Sequence, residues 1–349
     1  MKKRLLIYGA NGYTGELAAR HAKARGLDPI LAGRSQGVLP LAKALSLETR
    51  VFSLENGADV DSALTDVQVV LHCAGPFSRT ARPMANGCLR TRTHYLDVTG
   101  EIEVFEDLAS CDESAHRAGV MLLPGVGFDV VPSDGLALHL KERLPSATHL
   151  SLAFQGLGQV SRGTATTMLE NIDSGGRIRR GGALVWVPSG HAVRTVDLGL
   201  GPTKVIAVPW GDVSTAFYST GIPNIEVFMA APLAMRLGMM GARWFGPLLS
   251  MAWVKGWLKK LVDSSVTGPN EAARSSGRSF LWGEARDDSG AVVSARLETP
   301  EAYELTKLAA VAIAERVLAG DVHVGFQTPA RAYGADFILS LPGIVRTDL

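Results

Sequence analysis

The feature that most constrains this 349-residue chain is a glycine triplet, Gly9-Ala10-Asn11-Gly12-Tyr13-Thr14-Gly15. It follows the apolar run Leu5-Leu6-Ile7-Tyr8 directly and opens a helical pattern. Glycines at this spacing suit a strand that turns sharply into a helix. Gly9 permits the turn, Gly12 lets backbone approach a phosphate, and Gly15 lets the helix lie close to the strand. The helix start then offers unsatisfied N–H groups to an anion. The spacing is GxxGxxG rather than GxGxxG, so a purely structural glycine turn is the alternative to a dinucleotide site. Its place at the head of a βα pattern favours the site.

Residues 4–150 carry that pattern onward. Short apolar runs at Arg4–Gly9, Pro29–Ala32, Arg50–Ser53, Val67–Cys73, Tyr95–Val98 and Val120–Leu123 read as strands. Helical patterns at Gly12–Arg25, Leu39–Ala44, Asp59–Leu64, Pro83–Arg90 and Ile102–Ala118 separate them. This alternation predicts an α/β fold with an N-terminal Rossmann domain, a doubly wound parallel sheet over residues 1–150. Val67-Gln68-Val69-Val70-Leu71 is almost wholly apolar, as a strand covered on both faces requires.

The texture changes after residue 150. Segments 147–156, 183–198, 203–209 and 213–229 alternate and are rich in β-formers. Asp287-Asp288-Ser289-Gly290 between Arg278–Arg286 and Ala291–Leu297 signals a hairpin. These segments predict a second α+β domain at 151–320 with a mostly antiparallel sheet, serving substrate binding and dimerisation. Its final helix is expected to be capped by Thr299 and to begin at Pro300. A C-terminal helix within 321–349, opening at Thr328-Pro329-Ala330, is expected to pack back on the first domain.

The second strand leads into Gly33-Arg34-Ser35, where an NAD enzyme places an acid for the ribose 2′-hydroxyl. A guanidinium there suits a 2′-phosphate, so the expected cofactor is NADP. The expected cofactor contacts are Gly9, Ala10, Asn11, Gly12, Tyr13, Thr14, Gly15, Arg34 and Ser35. The exit of the fourth strand, Cys73-Ala74-Gly75-Pro76-Phe77, adds small residues for close approach and two rings to wall the ribose and nicotinamide. Cys73 itself reads as a small buried residue rather than a reactive thiol.

Ligands of open α/β sheets bind at the carboxyl ends of the strands. Tyr95, Asp97, Glu101 and Asp129 lie at such ends and are the candidate catalytic residues for orienting substrate or moving a proton. Structural roles stand beside these. Thr99 also fits a helix N-cap, with Glu101 in the favourable first turn, and Asp129 fits a turn-tying role before Pro132. Thr99, Phe128, Arg162, Gly163 and Thr164 are the candidate substrate-binding residues. The Ser161–Thr167 stretch offers hydroxyls, a cation and helix-start N–H groups to a carboxylate or thioester oxygen. Tyr303-x-x-x-Lys307 matches a dehydrogenase pair but lies almost 300 residues beyond the glycine loop, and is set aside.

Several motifs together resemble the saccharopine-dehydrogenase-like oxidoreductases. They are the start Gly9–Gly15, the Ala74-Gly75-Pro76-Phe77 turn, Tyr95-Leu96-Asp97-Val98-Thr99-Gly100-Glu101, Gly127-Phe128-Asp129-Val130-Val131-Pro132-Ser133-Asp134, Gly163-Thr164 and Thr328-Pro329-Ala330. The branch most similar is that of the trans-acting enoyl reductases. The resemblance implies NADP(H) use and a reductase or dehydrogenase activity. It leaves the substrate open.

The remaining composition bounds partners and location. A net charge of +1 provides no global field for nucleic acid. The eight histidines and three cysteines form no ligand spacing, so no metal is predicted. The apolar start ends after four residues, too short for a secretory leader, and a cytoplasmic protein is expected. Phe228–Val262 is apolar, lacks acids and holds three of the six tryptophans. It reads as buried core or a homodimer interface, as the roof of a channel for a lipid-like small-molecule substrate, or as a peripheral membrane contact. The activity expected is hydride transfer from NADPH to an activated C=C or C=N bond, with an apolar enoyl substrate favoured. A saccharopine-type amino-acid dehydrogenase and a non-enzymatic NADP-binding sensor are the alternatives.

Overall fold

A computed structural model describes residues 4–156, 175–233, 236–237 and 268–349. The chain forms two compact units, Met1–Val131 with Tyr303–Ala332, and Pro132–Ala302 with Tyr333–Leu349.

In the first unit, β1 (Leu5–Tyr8), β2 (Ile30–Gly33), β3 (Thr49–Val51), β4 (Val69–His72), β5 (His94–Asp97) and β6 (Met121–Leu123) build a parallel sheet. The late strand Gly325–Phe326 adds a seventh position beside β6. The spatial order runs from Gly325–Phe326 through β6, β5, β4, β1 and β2 to β3. The order therefore reverses between β1 and β4, the switch point at which a doubly wound sheet opens a crevice. β1, β2 and β4 are buried along their whole length, which explains their unbroken apolar character. Each fully buried Leu or Ile, such as Leu6, Ile7, Ile30 and Leu71, contributes about 1.5–3 kcal/mol relative to exposure.

The helices are α1 (Tyr13–Ala24), α2 (Leu39–Leu45), α3 (Gly57–Leu64), α4 (Phe77–Thr91), α5 (Ile102–Ala109) and α6 (Asp112–Ala118). Two differ from the sequence reading. α4 begins at Phe77, six residues before Pro83, and runs through that proline. The expected single helix at 102–118 is broken at Ser110-Cys111, where the Ser110 hydroxyl bonds the Asp107 carbonyl. Asp112 and Glu113 then favour a new helix start.

The helix Ala302–Leu318 falls almost entirely in the first unit, not in a domain ending at 320. Its Tyr303 ring packs edge-on against Tyr13, Gln68 donates to the Val317 carbonyl, and Arg25 pairs with Glu315 at 3.0 Å. The strand Val292–Pro300 runs through Pro300, so Thr299 is a buried strand residue rather than a helix cap. The C-terminal region is also not one helix. Pro329–Tyr333 is helical, with Thr328 Oγ1 accepting from the Arg331 N–H, while Tyr333–Leu349 group with the second unit.

The second unit holds α7 (Val131–Arg143) and a mixed sheet of β7 (His149–Gln155), β8 (Gly176–Arg180), β9 (Ala183–Val187), β10 (Val193–Asp197), β11 (Pro202–Ala207), β12 (Asn224–Ala230), β13 (Arg278–Arg286) and β14 (Val292–Pro300). The C-terminal strand Val345–Asp348 completes it. The order is β10-β11-β12-β7-β13-β14 and then Val345–Asp348, with β8 and β9 attached at β12. Among the described residues only β12 and β7 pair parallel; the other pairs are antiparallel. The β13–β14 hairpin turns at the Asp287–Gly290 signal, where Asp287 accepts from the Ser289 and Ala291 N–H groups. Residues 213–229 are not all strand. Asp212–Thr220 is a helix stopped by Gly221 at φ +68°, and its β-branched Val213 and Thr215 are buried on a helical face.

Candidate functional site

The loop after β1 is fixed by its backbone. Gly9 and Ala10 donate to the Ala32 carbonyl, and Gly12 donates back to the Gly9 carbonyl at 2.9 Å. Gly9 has φ +81°, and a Cβ there would stand 2.8 Å from the Ala74 Cβ. A Cβ on Gly15 would stand 2.2 Å from the Gly9 carbonyl oxygen. These two glycines thus let the β1 turn, the β4 exit and α1 converge. Gly12 is exposed and occupies the N-cap of α1 with no side-chain cap. A phosphate fits the start of such a helix without displacing a protein group.

The end of β2 forms a second wall. Asn11 and Ser35 crowd Gly33 and Gly37: a Cβ on Gly33 would lie 3.3 Å from Asn11 Oδ1, and one on Gly37 3.5 Å from Ser35 Oγ. Arg34 is exposed, and no carboxylate pairs with it among the described residues. The donor set suits an adenosine ribose carrying a 2′-phosphate. Gly37 belongs to this wall and was not singled out from the sequence.

Tyr8, His72 and Asp97 stand in one row of the register, at the carboxyl ends of adjacent strands. Beside this row the Ala74–Phe77 turn is held from two sides. His72 Nε2 lies 3.0 Å from Thr80 Oγ1, and Thr80 donates to the Ala74 carbonyl at 2.7 Å. His72 is therefore the Nε2–H tautomer, and full burial pushes its pKa down to about 3. From the other side, Glu101 accepts from the N–H groups of Phe77 and Ser78 at 2.9 and 2.8 Å. Its carboxylate thereby caps α4 rather than its own helix. This long-range cap accounts for the early start of α4, which no neighbour in sequence supplies. Burial pushes the Cys73 thiol up to about 12, so it is no nucleophile near neutrality.

Tyr95 and Asp97 are fully buried. The Tyr95 hydroxyl donates to Asp97 Oδ2 at 2.7 Å, and Thr99 and Gly125 donate N–H bonds to Asp97 Oδ1. Burial raises the Asp97 pKa to about 6. This carboxyl ties the β5 exit to the β6 exit. Thr99 is buried, and its hydroxyl accepts from the Glu101 N–H, while Glu101 itself occupies the N-cap of α5. Phe128 is buried and donates to Thr306 Oγ1.

Asp129 differs from Asp97. It is partly exposed, and its poorly solvated carboxyl is pushed up to about 7. It rests against the β5–α5 loop at Gly100, where a Cβ would stand 2.6 Å from Asp129 Oδ2. Gly100, Thr80 and Thr306 are site-building residues that sequence reasoning missed; for Gly100 the signal was a glycine between Thr99 and Glu101 in the quoted motif.

Arg162, Gly163 and Thr164 lie outside the described residues, as does most of 228–262. Tyr303 and Lys307 lie in the first unit, but Lys307 pairs with Glu304 at 2.7 Å and lies near His21, well along α1 from the glycine loop. Among the described residues no group of three or more His, Cys, Asp or Glu is placed to hold a metal ion. No described helix is long and apolar enough to cross a membrane.

Residues 5–123 match the saccharopine dehydrogenase NADP-binding domain family. A Mycobacterium tuberculosis protein provisionally named a trans-acting enoyl reductase is 26% identical over 402 aligned residues, covering 97% of this chain and 95% of that protein. The trans-acting enoyl reductase of Mycobacterium ulcerans is 31% identical over 150 residues, covering 40% of this chain and 35% of its own. The human saccharopine dehydrogenase-like oxidoreductase is 27% identical over 161 residues, 40% of this chain and 38% of its own. Among solved structures, apo saccharopine dehydrogenase (L-Glu forming) from Saccharomyces cerevisiae shares the fold over 99% of both chains, with a TM-score of 0.67 at 10% identity. Residues 5–123 are thus a nucleotide-binding domain similar to that of the saccharopine dehydrogenases, and the chain is an NADP-binding oxidoreductase acting on a small molecule.

Proposed function

We propose that this enzyme reduces an activated C=C bond of an apolar, enoyl-type substrate with NADPH. The observation that carries the reading is the likeness to the Mycobacterium tuberculosis protein, which spans 97% of this chain rather than the nucleotide-binding domain alone. NADPH, when bound, supplies the hydride. Gly9–Gly15 and the start of α1 bind its pyrophosphate, Arg34, Ser35 and Asn11 its 2′-phosphoribose end, and Ala74–Phe77 walls its nicotinamide.

Asp129 is the proton donor in this reading. With the hydride supplied to the enoyl β-carbon, the carboxyl proton of Asp129 would go to the α-carbon. The carboxylate left behind regains its proton from water. A carboxyl with a pKa of about 7 suits this role, because a large fraction of it carries the proton near neutral pH and gives it up readily. Tyr95, Asp97 and Thr99 support the loop that bears it. Phe128, Arg162, Gly163 and Thr164 serve substrate binding, and the second unit serves substrate binding and dimerisation.

The proposal also makes the enzyme a cytoplasmic homodimer whose segment 228–262 handles a lipid-like chain. A di- or tricarboxylic amino-acid imine would call for several cations at its carboxylates, and Arg162 is the clearest such cation in the sequence. The test is NADPH oxidation with a panel of enoyl thioesters and enones against 2-oxo acid plus amine pairs. Turnover of the enoyl panel is expected. Turnover of the amine pairs alone would replace this reading with C=N reduction.

A further inference from the structure

We propose that Glu101 is a positioning residue for the nicotinamide end of the cofactor and takes no part in proton transfer. The inference rests on the reading that Ala74–Phe77 walls the nicotinamide. Both carboxylate oxygens of Glu101 are taken by the first two N–H groups of α4, at 2.9 Å from Phe77 and 2.8 Å from Ser78. The turn that these bonds anchor comprises Ala74, Gly75 and Pro76, which lead directly into α4. On its other side the turn is held by Thr80, which donates to the Ala74 carbonyl, and by Gly9, whose missing side chain lets Ala74 close in.

Glu101 also has a fixed origin. Its N–H is held by Thr99 Oγ1, and Thr99 is held in turn by Asp97 Oδ1. Its neighbour Gly100 is the surface on which Asp129 rests. One loop of four residues, 98–101, therefore sets both the nicotinamide wall, through Glu101, and the seat of Asp129, through Gly100. Glu101 fixes the first of these relative to the second. A charged acceptor on two helix-start N–H groups is a strong anchor, because such bonds are shorter and stronger than neutral ones and the helix dipole adds to them.

Glu101→Gln tests this without needing the substrate. The amide keeps the shape of the carboxylate, but only its oxygen accepts, so one of the two N–H groups loses its partner. Binding of NADPH is measured by calorimetry against binding of 2′-phospho-ADP-ribose, which lacks the nicotinamide. In the wild type NADPH is expected to bind more tightly than the fragment. In Glu101→Gln that advantage is expected to shrink at least fivefold while fragment affinity stays within twofold.

Equal weakening of both ligands would make Glu101 a general structural residue and overturn the proposal. Gly75→Val serves as the control. Apart from its chain neighbours, the nearest atoms to a Cβ there belong to Phe77, at 3.6 Å or more, which is ordinary contact distance, so the wall gains bulk without a close clash. If Gly75→Val narrows the NADPH advantage and Glu101→Gln does not, the wall stands and the role of Glu101 falls. If neither variant changes the advantage, or the wild type has none, the wall reading fails and the proposal falls with it.

Discussion

Gly100 and Asp129 are matched surfaces: a single Cβ on Gly100 would stand 2.6 Å from Asp129 Oδ2 and 3.1 Å from its Cβ and Cγ. The carboxyl therefore sits where it does only because residue 100 has no side chain. Gly100→Ala is expected to push Asp129 aside by an ångström or so while the chain stays folded. A misplacement of that size costs about 10- to 100-fold in turnover. NADPH oxidation with an enoyl thioester, together with a circular-dichroism melt, checks this. Unchanged turnover in a folded Gly100→Ala protein would exclude Asp129 from the chemistry or show that the loop yields freely.

The pH profile tests the same carboxyl. Burial raises Asp129 to about 7. A proton donor is active in its protonated form, so the rate is expected to be high below pH 7 and to fall about tenfold per unit above it. Asp129→Asn removes that limb and lowers turnover by about 10²-fold or more. A wild-type rate that instead rises through pH 7 would mean that the group acts as a base or not at all.

Arg34 should set the cofactor preference. Its guanidinium is exposed at the end of β2, and no described carboxylate competes for it. Fluorescence titration is expected to give NADPH at least tenfold tighter than NADH, equivalent to about 1.4 kcal/mol. Arg34→Ala should erase most of that difference by weakening NADPH alone. Equal affinities in the wild type would remove Arg34 from the site.

Gly12 and Gly15 should fail in different ways. A Cβ on Gly12 meets only the Gly9 carbonyl oxygen, at 3.2 Å, whereas one on Gly15 would stand 2.2 Å from that oxygen and 2.9 Å from the Ala10 Cα. Gly12→Val is expected to fold and to lose NADPH binding, since its side chain fills the approach of the pyrophosphate. Gly15→Ala is expected to lose about 1–3 kcal/mol of stability, because backbone cannot move aside as a side chain can. Urea melts and NADPH titrations of both variants decide the matter. Normal NADPH binding by folded Gly12→Val would make the loop purely structural.

Much of the first unit was legible in the residues because its signals are local. A buried parallel strand reads as an apolar run, and β1, β2 and β4 are buried residue for residue. The glycine loop was legible for the same reason, since its steric demands arise within seven residues and one neighbouring turn. The failures have the opposite character. Asp212–Thr220 carries β-branched residues that suit a strand, yet tertiary burial and Gly221 make it a helix. α4 starts six residues before the expected point because Glu101, 24 residues away, supplies its cap.

What the sequence determined by itself is the class of fold and the glycine turn between β1 and α1, both written in spacings of a few residues. What only the tertiary structure decided is the division of labour among the acids. Tyr95, Asp97, Glu101 and Asp129 look alike as candidates at strand ends. Packing buries Asp97 under three donors, turns Glu101 onto another helix, and leaves Asp129 partly exposed with a raised pKa. A carboxyl's role depends on its solvation and its partners. Those partners come from β4, β5 and β6 and the loops that follow them, brought together only when the parallel sheet forms.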